Sequence, residues 1–265
     1  MIFKNELIEA KLIKRYKRFF ADIEMIDEKG KKKLLTIHVP NTGSLRGVID
    51  KESTEPQSCL ISLHGDSTKK LAGTLEAIQV GQTWVGVNTS TPNKVVKETA
   101  LESVAGKKPF LKHWGEFKFY RSEYKINEKS RLDGVFCLDE SDLGNPKSKH
   151  HYIEIKNTTL QRKIDGKLHA QFPDSVTERG KKHLQEMINL IKKGHRCELI
   201  FAVQRTDVEV FSVAHDIDPE YAKTFKKAVA AGLMITPLII ELDKKKVQLT
   251  SRQLDLVHVS IKQFN

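Results

Sequence analysis

The chain has 265 residues, 39% hydrophobic and 30% charged, a mixture that supplies one or two packed cores and excludes a chain disordered from end to end. The formal net charge is +11, spread over both halves and heavier in the second; a positive field draws polyanions, nucleic acid first, although plain solubility is an equally good reading of charge alone. Cys59, Cys137 and Cys197 are odd in number, far apart and in no CxxC pair, which argues against a disulfide framework and a zinc ribbon and for buried thiols.

Short apolar runs between Gly, Pro, Asn, Asp or Lys-rich breaks predict strands at Leu7–Ile13, Phe19–Ile26, Leu34–Val39, Cys59–Leu63 and Thr83–Val87. Lys29-Gly30-Lys31 reads as a hairpin turn between two of them. Together they predict a small β-barrel of the OB type over residues 1–86. In it, Arg15, Tyr16, Lys17 and Arg18 are candidates for nucleic-acid binding, with cations for phosphates and an aromatic face for bases. The neighbouring Phe19 or Phe20 fits the barrel core as well.

The pattern changes near Asn88. A second domain is expected over residues 87–265, with the boundary between Val80 and Asn93. Val96, Ala100 and Val104, four apart, predict a helix over Asn93–Val104, ended by Gly106-Lys107-Lys108-Pro109. Strands follow at Phe117–Ile126, Leu132–Leu138 and His151–Asn157. The stripe Val176, Gly180, Leu184, Met187, Ile188, Ile191 predicts a helix over Val176–Lys193, with Ser175 and Glu178 as a capping box and Gly194 as its stop. Cys197–Val203 reads as a buried strand. A helix at Pro219–Ala231, the apolar run Leu233–Leu242 and a basic tail complete the chain. The fold class is therefore α+β, a barrel followed by an α/β domain.

In His151-Tyr152-Ile153-Glu154-Ile155-Lys156, alternation puts Glu154 and Lys156 on one strand face and the isoleucines on the other. A hairpin centred on Gly144-Asn145 would set Asp133 directly opposite Lys156. Two carboxylates and an ammonium on one patch suit metal-dependent phosphodiester hydrolysis. Asp133 and Glu154 would hold Mg²⁺, with Mn²⁺ as a substitute and the Ile155 carbonyl as a further oxygen. Lys156 would orient the attacking water or stabilise charge on the phosphate. Glu98 on the first helix and Glu123 on the first strand are additional acids, each also readable as an ordinary surface residue. Arg179 and Lys182, three apart on one helix, are candidates to grip phosphate, together with Arg131; a solvated helix face explains the pair equally well. Spacing alone fits a surface salt bridge too. The surrounding order α-β-β-β-α-β favours the catalytic reading, because the PD-(D/E)XK nuclease core presents its motif in that order. The histidines show no metal-ligand spacing, and there is no GxSxG, P-loop or GxGxxG.

Six segments, Arg15-Tyr-Lys-Arg-Phe19, Pro40-Asn-Thr-Gly-Ser44, Val87-Asn-Thr89, Ser130-Arg-Leu-Asp133, Tyr152-Ile-Glu-Ile-Lys156 and Phe172-Pro-Asp-Ser-Val-Thr-Glu-Arg-Gly-Lys-Lys-His-Leu184, closely resemble the SfsA family of sugar fermentation stimulation proteins. The likeness runs from about Leu7 to about Leu242. It implies an N-terminal OB-fold domain, a C-terminal PD-(D/E)XK nuclease-like domain, DNA binding of low sequence specificity and a DNA/RNA nuclease activity. By position it makes Asp133, Glu154 and Lys156 the nuclease set, with Thr177, Arg179 and Lys182 around it. The stretches Asp139–His150 and Gln161–Leu168 depart from the pattern and read as local loops. The expected partner is nucleic acid, DNA ahead of RNA, with homodimer formation left open. A non-catalytic, DNA-binding regulator of sugar-metabolism genes is the alternative. No apolar run reaches the ~18–20 residues of a membrane span, and Met1-Ile-Phe-Lys-Asn-Glu6 has no leader-like apolar core. No membrane partner and a cytoplasmic location are the expectations.

Overall fold

The computed structural model describes all residues except 51, 52, 54, 66–69, 107, 146 and 259–265, so the end of the basic tail lies outside the described residues. β1 (Ile8–Tyr16), β2 (Phe20–Ile26) and β3 (Lys32–His38) form an antiparallel meander. Their period-two pattern buries Ala10 and Leu12, then Ala21, Ile23 and Met25, then Ile37 on one face. Gly30 turns the β2–β3 hairpin with φ of 74°, a conformation open to glycine, at the break expected there. β4 (Gln57–Leu63), β5 (Gly73–Val80) and β6 (Thr83–Gly86) continue the sheet in the order β3-β2-β1-β4-β5-β6, and a bridge from His38 to Thr74 closes it into a barrel.

The second domain opens with α1 (Thr91–Val104), begun by Pro92 in its first turn and buried along Val95, Val96 and Ala100. Then come β7 (Phe119–Asn127), β8 (Ser130–Cys137), β9 (His151–Thr158), β10 (Leu160–Ile164), β11 (Lys167–Phe172), α2 (Glu178–Lys192), β12 (Arg196–Val203), β13 (Val210–Val213), α3 (Pro219–Ala230), β14 (Met234–Leu242), β15 (Val247–Gln253) and β16 (Asp255–Leu256). The main sheet has the order β15-β14-β12-β9-β8-β7, parallel at its centre and antiparallel at both edges. α1 covers one face with Trp114, Ile153, Ile155 and Ile200 beneath it. α2 and α3 cover the other over Tyr152, Leu199 and Phe201. All three cysteines are free and buried.

Three expectations change. Gln161–Leu168 is no loop: it forms most of the β10–β11 hairpin, turned at Asp165-Gly166, within a second sheet β10-β11-β13-β16. Thr177, not Ser175, caps α2, its hydroxyl accepting the Gly180 N–H at 3.0 Å. β8 and β9 pair Gly134 with Ile153, Val135 with Tyr152 and Phe136 with His151, so the register runs toward Glu154 opposite Asp133 rather than Lys156. The connection is not a symmetric hairpin centred on Gly144-Asn145; it starts with the 3₁₀ turn Glu140–Asp142, which shifts the ladder.

Candidate active site

The β8–β9 ladder ends at Gly134 and Ile153, and beyond it a side chain takes over from the backbone. The Asp133 Oδ2 accepts the Ile155 N–H at 2.7 Å, and its Oδ1 accepts the Asn93 carboxamide of α1 at 2.7 Å. Gly134 is required next to it, because a Cβ there would run into the Tyr120 ring. On β9, the Glu154 Oε1 accepts Lys156 Nζ at 2.6 Å and also pairs with Nδ1 of His183 from α2. Glu154 is only 2% exposed, and its Oε2 is buried with no protein partner among the described residues. N–H and C=O of one strand residue leave on the same side, so the Ile155 carbonyl faces the Asp133 side as well.

The two carboxyls are driven apart electrostatically. Burial, then the Glu154 charge, pushes Asp133 up to about 7, against the opposing pull of the Ile155 N–H, Lys156 and Asn93. Burial would raise Glu154 also, but Lys156 and the His183 pairing overturn that and hold it below the usual carboxylate range. Lys156 is itself largely buried. An ionised, desolvated carboxylate with one oxygen unpartnered, beside a second carboxyl that ionises with difficulty, is a donor set that fits a divalent cation taking oxygen ligands.

The other sequence candidates fall in several places. Glu98 is half exposed and pairs with the N-terminal amine of Met1 at 3.0 Å. Glu123 is exposed and pairs with Arg131 at 3.2 Å. Arg131, Arg179 and Lys182 line one open cavity of about 740 Å³ with Lys125, Lys129 and His183, and the carboxylates of Glu123, Glu128 and Glu178 share its wall. Lys182 donates to the Lys129 carbonyl at 2.9 Å. Thr177 is an α2 cap whose own N–H goes to Asp218 at 2.9 Å. In the barrel, Lys17 and Arg18 sit exposed at the β1–β2 turn with positive φ. Arg15 has a different job: it donates to the carbonyls of Asn41 (2.6 Å), Gly43 (3.0 Å) and Arg18 (3.1 Å), fastening the Pro40–Ser44 segment to β1. Tyr16 stacks on Phe20 and donates to Asp22.

Sequence reasoning missed Asn93 and His183. His183 lies three residues after Gly180 and four before Met187, on the buried stripe, and that spacing was the available signal. It also missed a buried cluster from four separate elements. The Glu198 Oε2 accepts Nε2 of His113 (3.0 Å), Nε2 of His151 (2.9 Å) and the Trp114 indole (3.0 Å), while Thr236 donates to its Oε1 at 2.5 Å. Among the described residues His113, His151 and Glu198 are a set that could hold a metal ion. Their mixed nitrogen and oxygen donors suit a zinc-like ion rather than Mg²⁺.

The domains are joined at the end of β9. Gly86 N–H donates to the Gln204 carbonyl at 2.9 Å, and the Gln204 carboxamide reaches both the Asn88 carbonyl (3.3 Å) and Asn157 Oδ1 (2.7 Å). Asn88 in turn donates to the buried Glu76 of β5 at 2.8 Å. No described helix is long and apolar enough to cross a membrane.

Comparison with known proteins agrees with this layout. The sequence model described as the sugar fermentation stimulation protein RE domain matches residues 90–246, and that of the SfsA N-terminal OB domain matches residues 13–87. A sugar fermentation stimulation protein homolog of Bdellovibrio bacteriovorus is 42% identical over 260 residues, covering 97% of this chain and 99% of its own. A homolog of Rhodospirillum rubrum is 37% identical over 257 residues, with 97% and 99% covered. The structure of Pyrococcus furiosus SfsA in complex with Ca²⁺ superposes with a TM-score of 0.76 at 19% identity, covering 97% of this chain and 98% of that one, a likeness of fold. This chain, with its OB domain and its mixed α/β C-terminal domain, belongs to the SfsA family.

Proposed function

We propose that the protein is a metal-dependent nuclease of the PD-(D/E)XK kind, cutting nucleic acid, DNA ahead of RNA, at Asp133, Glu154 and Lys156. The observation that carries this reading is the Glu154 carboxylate, held ionised by Lys156 and His183 with one buried oxygen lacking a protein partner, next to Asp133. Asp133, Glu154 and the Ile155 carbonyl would hold the cation, Mg²⁺ with Mn²⁺ as a substitute; when bound it polarises the scissile phosphate and helps ionise water. The Ca²⁺ of the fold neighbour, another hard ion that takes oxygen ligands, is in keeping with this. Lys156 keeps Glu154 charged and sets a cation where negative charge develops on the phosphate. Asn93 and the Ile155 N–H fix the Asp133 carboxyl in place. Arg179 and Lys182, in the open cavity beside His183, supply sequence-independent grip on the backbone.

The test is cleavage of labelled single- and double-stranded DNA and RNA with Mg²⁺, Mn²⁺ or EDTA, comparing wild type with Asp133→Ala and Lys156→Ala. Metal-dependent cutting by wild type alone is expected. Tight, salt-sensitive binding with no cutting of any substrate would overturn the enzyme reading.

A further inference from the structure

Three of the segments that mark the family take no part in the chemistry above: Pro40–Ser44, Val87–Thr89 and the start of Phe172–Leu184. The fold brings residues of all three to one cavity between the domains, about 280 Å³ in volume, reached just past Lys156 at Asn157 and Thr159. Among the described residues no Lys or Arg lines it. It is lined by the carboxamides of Asn157 and Gln171, the hydroxyls of Thr42 and Thr159 and one carboxylate, Asp174, while the Phe172 ring beside it packs on Phe201 and Tyr221. A phosphate would meet the Asp174 charge with no cation to offset it. A neutral heterocycle with N–H and C=O edges would meet donors and acceptors without a charge to neutralise.

The cavity is held in shape before any ligand arrives. Asn41 donates to the Val87 carbonyl (3.0 Å) and accepts the Gly43 N–H (2.8 Å), while Arg15 clamps the same loop from behind. Gly43 lets the loop lie close to Asp174, since a Cβ there would sit 2.9 Å from the Asp174 carboxylate and push it aside. Gln171, 1% exposed, donates to Ser212 at 2.9 Å and keeps its Oε1 without a partner among the described residues.

We propose that this cavity seats one unpaired nucleobase of the substrate strand, next to the position that is cut. The proposal rests on the nuclease reading and gives it a substrate class: single strands, or duplexes with an extruded nucleotide. At about 280 Å³, just below the ~300–1,000 Å³ typical of small-ligand sites, the volume suits one base and not a pair.

The experiment uses wild-type protein with Mg²⁺ and end-labelled single strands in which one abasic residue is moved stepwise along the chain. Cutting should fall by about tenfold or more when the missing base stands at one fixed position relative to the cut. Equal rates at every position overturn the proposal. If wild type cuts nothing, the nuclease reading fails separately, and the cavity is read by fluorescence anisotropy. Asp133→Ala should then bind single strands more tightly than duplex. Adding Ser175→Tyr at the exposed rim should weaken single-strand binding by about tenfold with an unchanged melting temperature. Affinity indifferent to Ser175→Tyr overturns the base site.

Discussion

The carboxylate of Asp133 accepts the backbone N–H of Ile155 at 2.7 Å, so the acid on β8 is pinned to the strand that carries Glu154 and Lys156. Any slip of one strand against the other would break that bond and the site with it. Asp133→Ala removes one of the proposed metal ligands and orphans the Ile155 and Asn93 donors. We expect cleavage to be lost with nucleic-acid affinity nearly intact, and a stability cost of about 1–3 kcal/mol for the unpaired buried donors. Parallel cleavage, binding and urea-melt assays check this; equal loss of cutting and binding would refute the division of roles.

Metal and pH should be coupled through the same residue. Asp133 is raised to about 7, so the native state holds a proton that the unfolded chain has released above the ordinary Asp range. Its contribution to stability is complete below that range and drains away as pH rises through about 7. A divalent cation needs the deprotonated form and should restore what is lost. The rise in melting temperature on adding Mg²⁺ should be larger at pH 8 than at pH 5.5, and Asp133→Asn should abolish it. An equal rise at both pH values would contradict the assignment.

His183 pairs with the Glu154 carboxylate, and in the proposed nuclease it is expected to act on that acid rather than on substrate. Removing it as His183→Ala leaves the buried carboxylate with Lys156 as its remaining charge partner, and Glu154 should become easier to protonate. The acidic limb of the cleavage pH profile should move to higher pH, while KM changes little. A fall in rate that is uniform across pH would mark His183 as merely structural.

Arg179 and Lys182 should show their role in salt dependence. Each →Ala variant should weaken binding similarly for unrelated sequences and reduce the slope of log affinity against log salt by about 1. Titrations at several salt concentrations measure this; unchanged slopes would make the pair a solvated helix face.

The Glu198 cluster should be a stability determinant. Burial disfavours its charge, but hydrogen bonds from His113 and His151 hold the carboxyl well below the usual range. Its contribution is therefore present above the ordinary Glu range and lost only as pH falls through the lowered native value. Glu198→Ala, which strands two imidazoles and an indole, should cost about 3–5 kcal/mol. A denaturant melt near pH 7 with no change would show that the cluster carries no net stability.

Five barrel strands, the helices and the strand bearing Glu154 were legible because their apolar residues keep period two or the helical stripe. β5 was not, since Gly73 weakens the pattern and Glu76 occupies a buried position satisfied by Ser62 and Asn88. The β10–β11 hairpin hid behind Arg162, Lys163 and Lys167, cations on a sheet whose other strands lie some 40 or more residues away. For the site, residue types were readable but register was not: the turn Glu140–Asp142 sets it, and no pattern within either strand records that. Asn93 and Glu198 reach their partners only through tertiary packing.

Gln204 binds Gly86, Asn88 and Asn157 at once. The barrel is thus bolted to β9, the strand of Glu154 and Lys156, one residue past Lys156, with no free linker between them. For a polynucleotide held on the barrel, the distance from the gripped nucleotides to the cut is then a constant of the fold. If the proposed nuclease holds its strand there, the two domains would act as a ruler, and fragments measured from the held end would come out in a narrow range of lengths.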